Sequence, residues 1–370
     1  MISNLMDFSP HRILIRFRDK TPPDRCLHIH QQARAKVTRI IKELNVEIVE
    51  VPPEQIEECL HCYLSCSEVE FAERDALVKA DLVPNDPLLP QQWGVLKVAA
   101  TRAWNITRGS TKVPIAILDT GLDMTHPDLQ DKIILNANFS DTSTAQDFNG
   151  HGTHVAGIAA AVTKNGRGVA GLAINPTLMN IKVLDDGGTG SLSSVVQGIV
   201  YAVDNGAKVI NMSLGTTFFS STLHDAVKYA QRNGVLLVAA AGNDGVNQHN
   251  YPAAFAQCIS VAAVNREDTK AFFSNFGASW VDLAAPGVEL LSTMPTYPNA
   301  IGPQNYGFLS GTSQATPLVS GLAALLLSLN RNANVVRRTI ESTTVPIAGV
   351  GTLYEYGRIN AYNALLKLPR

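Results

Sequence analysis

The feature that most constrains this chain is a set of short apolar runs without alternation. Residues 113–118 (VPIAIL), 208–212 (KVINM) and 234–241 (GVLLVAAA) are close to continuously apolar, and segments with helical character lie between them. A strand that faces water on one side alternates polar and apolar residues, whereas one covered on both faces does not. Such runs, joined through helices, predict an α/β fold with a doubly wound, mostly parallel sheet. Ligands in these sheets gather beyond the carboxyl ends of the strands. Chemistry is therefore expected just after each run.

Asp119 and Asp123 follow the first run within 119–123 (DTGLD), and a helix of small residues opens at 151–157 (HGTHVAG). Gly242, Asn243, Asp244 and Gly245 follow the third, and 311–317 (GTSQATP) opens the apolar segment 318–329. Each block has a plain structural explanation. An Asp often ends a parallel strand, Gly-Asn is a common turn, and Ser is a favoured helix cap. His151 and His154 are three apart, which is not the zinc pattern with its intervening glutamate.

The acidic residues change identity near residue 80. Through Ala80 there are 4 Asp and 9 Glu; beyond it there are 15 Asp and 4 Glu. Glutamate favours helix, whereas aspartate favours turns, caps and oxygen-ligand loops. Basic residues divide 11 and 19, so composition rather than net charge marks the boundary, and we divide the chain into domains 1–80 and 81–370. In the first, 12–18 and 46–51 alternate with period two, 27–44 has helical character, 55–65 fits a second helix and 69–78 a last extended stretch. This predicts a small α+β sandwich, followed by a proline-punctuated link at 84–90.

The net charge is −2 and no Lys/Arg run reaches four, so neither nucleic acid nor an anionic membrane is an expected partner. The longest apolar stretches, 234–242 and 318–329, are too short to span a bilayer. The first ten residues lack a basic segment followed by an apolar one, so no signal peptide is expected. Cys26, Cys59, Cys62, Cys66 and Cys258 make an odd count, which suits a reducing compartment or inert buried thiols. Cys59, Cys62 and Cys66, with His61 among them, are either a metal or iron–sulfur site or one face of a helix using cysteine as a small apolar residue. No fourth ligand stands at a fitting spacing.

Together the blocks say more than each alone. Asp, His and Ser in that order, each in a Gly-bearing motif at a strand or helix end, resemble the subtilisin family of serine proteases. The resemblance runs from about residue 84 to 364, includes 209–215 (VINMSLG) and 282–287 (DLAAPG), and is closest to the thermitase-type branch. It implies a catalytic domain at 81–370. Ser313 would be the nucleophile, His151 the general base, Asp119 the group that orients the imidazole, and Asn243 an oxyanion donor beside the Ser313 N–H. Substrate would lie as an extended strand between Ser213, Leu214, Gly215 and Gly188, Thr189, Gly190. Asp244 is either a partner for a basic substrate residue or a solvated loop residue.

The resemblance further implies Ca²⁺. Asp86, Asp128, Val162, Asn165, Arg167 and Val169 match the thermitase-type strong calcium site, an ordinary surface loop being the alternative. Asp141 and Asp147 fall where a second calcium loop lies, on a stretch one residue shorter than the thermitase pattern. Domain 1–80 looks like the family's inhibitory propeptide, cut by the enzyme between Asp75 and Pro84. Gln314 stands where the family usually has Met, and Leu318 where His is common; neither position supplies a catalytic group. Local capping rules start the last long helix at Pro317 with Thr316 as cap, whereas the family starts it at Ser313, and we follow the family.

The leading expectation is a broad serine endopeptidase made as an autoprocessed zymogen, a monomer acting on proteins and peptides. A narrow processing protease and a catalytically silent peptide-binding relative are the alternatives. The family is mostly secreted, yet the missing signal peptide and the cysteine usage lean toward an intracellular location.

Overall fold

The computed structural model describes residues 8–78 and 84–369, and its contacts divide the chain into Met1–Ala80 and Asp81–Arg370. The first unit runs β1 (Phe8–Phe17), α1 (Pro23–Gln32), β2 (Lys36–Ile41), β3 (Val46–Glu50), α2 (Ile56–Leu64) and β4 (Val69–Ala76). The strands pair antiparallel in the order β2-β3-β1-β4. Ile13, Ile15, Phe17, Ile29, Val49 and Tyr63 form its core. The helix expected over 27–44 ends at Gln32, and 36–41 is a strand instead. Arg34 in the left-handed region (φ 50°) breaks the helix. The β-branched Val37, Thr38, Ile40 and Ile41 then favour the extended chain. Cys59 is buried and donates to the Ala33 carbonyl at 3.0 Å, while Cys62 and Cys66 lie half-buried against the same core.

In the second unit, α3 (Trp93–Lys97) and α4 (Ala100–Ala103) lead to β5 (Ile115–Asp119) and β6 (Ile133–Asn138). Then follow α5 (His151–Ala160), β7 (Leu178–Lys182), α6 (Leu192–Asp204), β8 (Val209–Met212), α7 (Ser221–Arg232) and β9 (Leu236–Ala240). The chain ends with β10 (Cys258–Val264), β11 (Leu283–Pro286), β12 (Leu290–Thr293), β13 (Tyr306–Leu309), α8 (Thr312–Leu327), α9 (Ala333–Ser342) and α10 (Ala361–Lys367).

Seven described strands form one parallel sheet in the order β11-β10-β9-β8-β5-β7-β6, an α/β architecture. Every residue of β5 is buried, and its side chains alternate between two cores. Ile115 and Ile117 pack with α5 and α8, while Ala116 and Leu118 pack with α6 and α7. That two-sided covering is why the runs show no polar alternation. The chain leaves β5 toward β7 and β6, then returns to its other side at β8, so the strand order reverses at β5. The reversal opens a crevice at the carboxyl end of β5, where Asp119 sits.

Helix α8 begins at Thr312, before the Pro317 that local rules take as its start. Proline lacks the N–H that would bond to the carbonyl four residues earlier. That carbonyl belongs to Ser313, and it accepts the Ser213 hydroxyl at 2.8 Å instead. Among the described residues no helix is long and apolar enough to cross a membrane.

Candidate active site

Asp119 is fully buried at the end of β5, and its Oδ1 accepts the Thr120 N–H (2.7 Å) and lies 2.7 Å from His151 Nδ1. His151 opens α5. The approach of that helix to β5 depends on Gly152, where a Cβ would sit 2.2 Å from the Gly121 carbonyl and 3.1 Å from Asp119 Cβ. Burial lowers the proton affinity of His151, but the Asp119 charge and hydrogen bond, with the Asp147 charge, outweigh it and leave the imidazole pKa above its ordinary value.

Ser313 lies in the first turn of α8 and is largely buried, with its hydroxyl donating to the Ser213 carbonyl at 3.1 Å. Asn243 follows β9. Its Oδ1 accepts the Thr312 N–H (2.8 Å) and hydroxyl (3.0 Å), which fixes the amide orientation because a backbone N–H only donates. The Nδ2 group is left without a partner among the described residues and is free to donate. The loop around Asn243 is held by Asn275, whose Oδ1 accepts the N–H groups of Asp244 (2.9 Å) and Val246 (3.2 Å) and whose Nδ2 donates to the Ala241 carbonyl (3.1 Å).

A cleft of about 630 Å³ adjoins His151, while Ser313 and Asn243 are not among its lining residues. His151, Ser213, Leu214, Gly215, Gly188, Thr189 and Gly190 all line it, so both expected walls meet on one cavity. Asp244 is exposed and is not among its lining residues.

At the expected calcium position, Asp86 and Asp128 are both buried. Asp86 accepts the Lys164 N–H (2.9 and 2.8 Å), while Asp128 accepts Asn165 Nδ2 (2.7 Å), the Val169 N–H (3.1 Å) and the Tyr306 hydroxyl (2.9 Å). Burial raises the Asp86 pKa, the Lys164 and Asn165 N–H groups oppose this, and the Asp128 charge adds to the rise. Among the described residues the carbonyls of Val162, Arg167 and Val169 accept no hydrogen bond, and no group of three or more His, Cys, Asp or Glu gathers. Two carboxylates and three free carbonyls offer oxygens that fit a hard cation, whereas Asn165 Oδ1 accepts the Arg167 N–H (2.9 Å) and its Nδ2 is the group facing Asp128.

Asp147 departs from its sequence expectation. Its oxygens accept Thr120 Oγ1, the N–H groups of Asn149, Gly150 and Thr153, and Thr153 Oγ1 at 2.6–3.1 Å. Five donors saturate this carboxylate, so it pins the start of α5 and offers nothing to a metal. Sequence reading also missed Thr312, Asn275 and the segment between β12 and β13 that reaches the cleft. Only Thr312 carried a signal, as the residue before the candidate nucleophile.

The fold is a doubly wound α/β architecture with Asp119 and His151 paired at its crevice, while the Ser313 hydroxyl bonds to the Ser213 carbonyl and makes no hydrogen bond with His151. Residues 110–358 match the family model described as "Subtilase family". The chain is 48% identical over 284 residues to thermitase of Thermoactinomyces vulgaris, covering 76% of this chain and 99% of that protein. It is 46% identical over 299 residues to a thermophilic serine proteinase of Bacillus sp. (strain AK1), covering 80% and 73%. A solved protease structure from Pseudoalteromonas arctica PAMC 21717 superposes with a TM-score of 0.71 at 31% identity, covering 78% of this chain and all of that one. The chain belongs to the subtilase family and is a subtilisin-like serine endopeptidase.

Proposed function

We propose that Asp119, His151 and Ser313 form the catalytic triad of a broad-specificity endopeptidase made as a zymogen. The observation that carries this reading is the 2.7 Å contact of Asp119 Oδ1 with His151 Nδ1, on a helix packed beside the one that Ser313 opens. A peptide carbonyl is a poor electrophile, and a serine hydroxyl is a weak nucleophile near neutrality. His151 Nε2 takes the Ser313 proton as Oγ attacks, then returns it to the leaving amine; Asp119 holds the tautomer and stabilises the imidazolium. The oxyanion is met by Asn243 Nδ2 and the Ser313 N–H, the latter at the positive end of α8. Water then releases the acyl group by the same steps in reverse.

Substrate pairs as an extended strand with 213–215 and 188–190. Main-chain pairing carries little sequence information, which supports broad specificity. The unit Met1–Ala80 acts as an inhibitory propeptide removed by the enzyme between Asp75 and Pro84, a segment of which 79–83 lie outside the described residues. Ca²⁺ would be held by Asp86, Asp128 and the carbonyls of Val162, Arg167 and Val169, with the Asn165 amide turned over so that its oxygen replaces the Nδ2 group that now faces Asp128. When bound it neutralises two buried carboxylates and ties together three chain segments. The protein works as a monomer on protein and peptide substrates.

Intact mass spectrometry of the wild type and Ser313→Ala, expressed side by side with calcium, tests this reading. Loss of about 80 N-terminal residues from the wild type alone supports a working Ser313 and a propeptide. Two full-length chains favour a silent or externally activated protein.

A further inference from the structure

The two walls at 188–190 and 213–215 leave a third side of the cleft. Ile301 lies on it, carried by residues 294–305, which connect the antiparallel pair β12 and β13. This excursion is anchored at both ends. Near its start, Asp123 Oδ2 accepts the Thr296 N–H (2.9 Å) and hydroxyl (2.8 Å). Near its end, His126 Nε2 donates to the Asn305 carbonyl at 2.9 Å, because His126 Nδ1 accepts the Asp128 N–H. The middle lies against the approach to α5. Ala300 N–H donates to the Phe148 carbonyl (3.0 Å), Ile301 N–H to the Asn149 carbonyl (3.1 Å), and the Tyr297 hydroxyl to the Asp147 carbonyl (3.0 Å). The Tyr297 and Phe148 rings pack with centroids 5.4 Å apart. These bonds hold Ile301 on the cleft that His151, Asn149 and Leu184 also line.

Side chains of an extended peptide point alternately to opposite sides. When the residue on the amino side of the cleaved bond faces the 213–215 wall, the residue before it faces His151. No Asp, Glu, Lys or Arg lines this cleft, so a charged side chain there would lose water and gain no partner. We propose that Ile301 is a specificity-determining residue that, with Leu184, selects a large apolar side chain at the second substrate residue before the cleaved bond. This rests on the protease reading above.

The test uses internally quenched peptides of one sequence that differ only at that second residue, as Leu, Gly or Asp. They are assayed with the mature wild type and with Ile301→Ala and Ile301→Lys. Sites are counted by the burst from an activated ester, so each kcat/KM refers to competent enzyme. The wild type is expected to favour Leu over Gly, with the ratio falling about tenfold in Ile301→Ala. Ile301→Lys is expected to raise the Asp-to-Leu ratio. A Leu-to-Gly ratio unchanged in Ile301→Ala, or equal losses on all three peptides, overturns the assignment of Ile301 alone. No cleavage by the wild type, or cleavage that survives in Ser313→Ala, overturns the protease reading and this assignment with it.

Discussion

Thr312 donates both its N–H (2.8 Å) and its hydroxyl (3.0 Å) to Asn243 Oδ1. That leaves the N–H₂ of Asn243 free, and in the proposed mechanism it donates to the oxyanion. Asn243→Ala should lower kcat by about 10² to 10³ with little change in KM, the magnitude being that measured for such a donor in subtilisin. Thr312→Val keeps the N–H bond and should cost less, about tenfold. Michaelis kinetics on one peptide decides: a KM effect in place of a kcat effect would mean that Asn243 binds ground-state substrate.

The pH profile follows from His151. Its pKa lies above the ordinary 6.5, chiefly because Asp119 overcomes the effect of burial. Only the neutral imidazole accepts a proton, so kcat/KM should rise with pH along a limb centred above 6.5. Asp119→Asn removes the raising charge, and should move that limb to lower pH while lowering kcat by about 10⁴. Rates measured from pH 5 to 10 check both parts, and a flat profile contradicts the triad.

Gln314 is buried next to Ser313, where a methionine is usual in the family. A thioether beside the nucleophile oxidises to a polar sulfoxide, whereas an amide has no such reaction. The wild type should therefore hold its activity in mild peroxide, and Gln314→Met should lose it. Residual activity against time in peroxide, with mass spectrometry for an added oxygen, makes the comparison.

Calcium should act on stability rather than chemistry, because Asp86 and Asp128 bond to residues 164–169, beyond the carboxyl end of α5, whereas His151 stands at its amino end. At a calcium concentration about 100 times Kd, binding adds about 2.7 kcal/mol to the native state. EDTA should lower Tm in the wild type and have little effect in Asp128→Asn, which already lacks one carboxylate. A wild-type melting curve that ignores EDTA removes the cation from the account.

The parallel sheet was legible because burial on both faces erases alternation, so the run at 113–118 could belong to little else. Asp119 and His151 could be marked because strand-end and helix-start chemistry is local. The strand at 36–41 was not legible as such. It lies in a window of helical composition, and only the left-handed Arg34 and its pairing with β3 decide it. Asp147 was misplaced for a related reason. A carboxylate in an Asp-rich loop reads alike whether it meets a cation or five N–H and O–H donors, and only the folded start of α5 supplies those donors. Ile301 gave no local signal, because it reaches the cleft through bonds to Phe148 and Asn149 some 150 residues away.

Covalent labelling of the wild-type enzyme with a fluorophosphonate, followed by peptide mapping, tests most directly whether Ser313 is a nucleophile activated by His151. One adduct is expected, on Ser313, with its formation slowed by orders of magnitude in His151→Ala. An adduct on another residue, or labelling of Ser313 as fast in His151→Ala as in the wild type, would contradict that role.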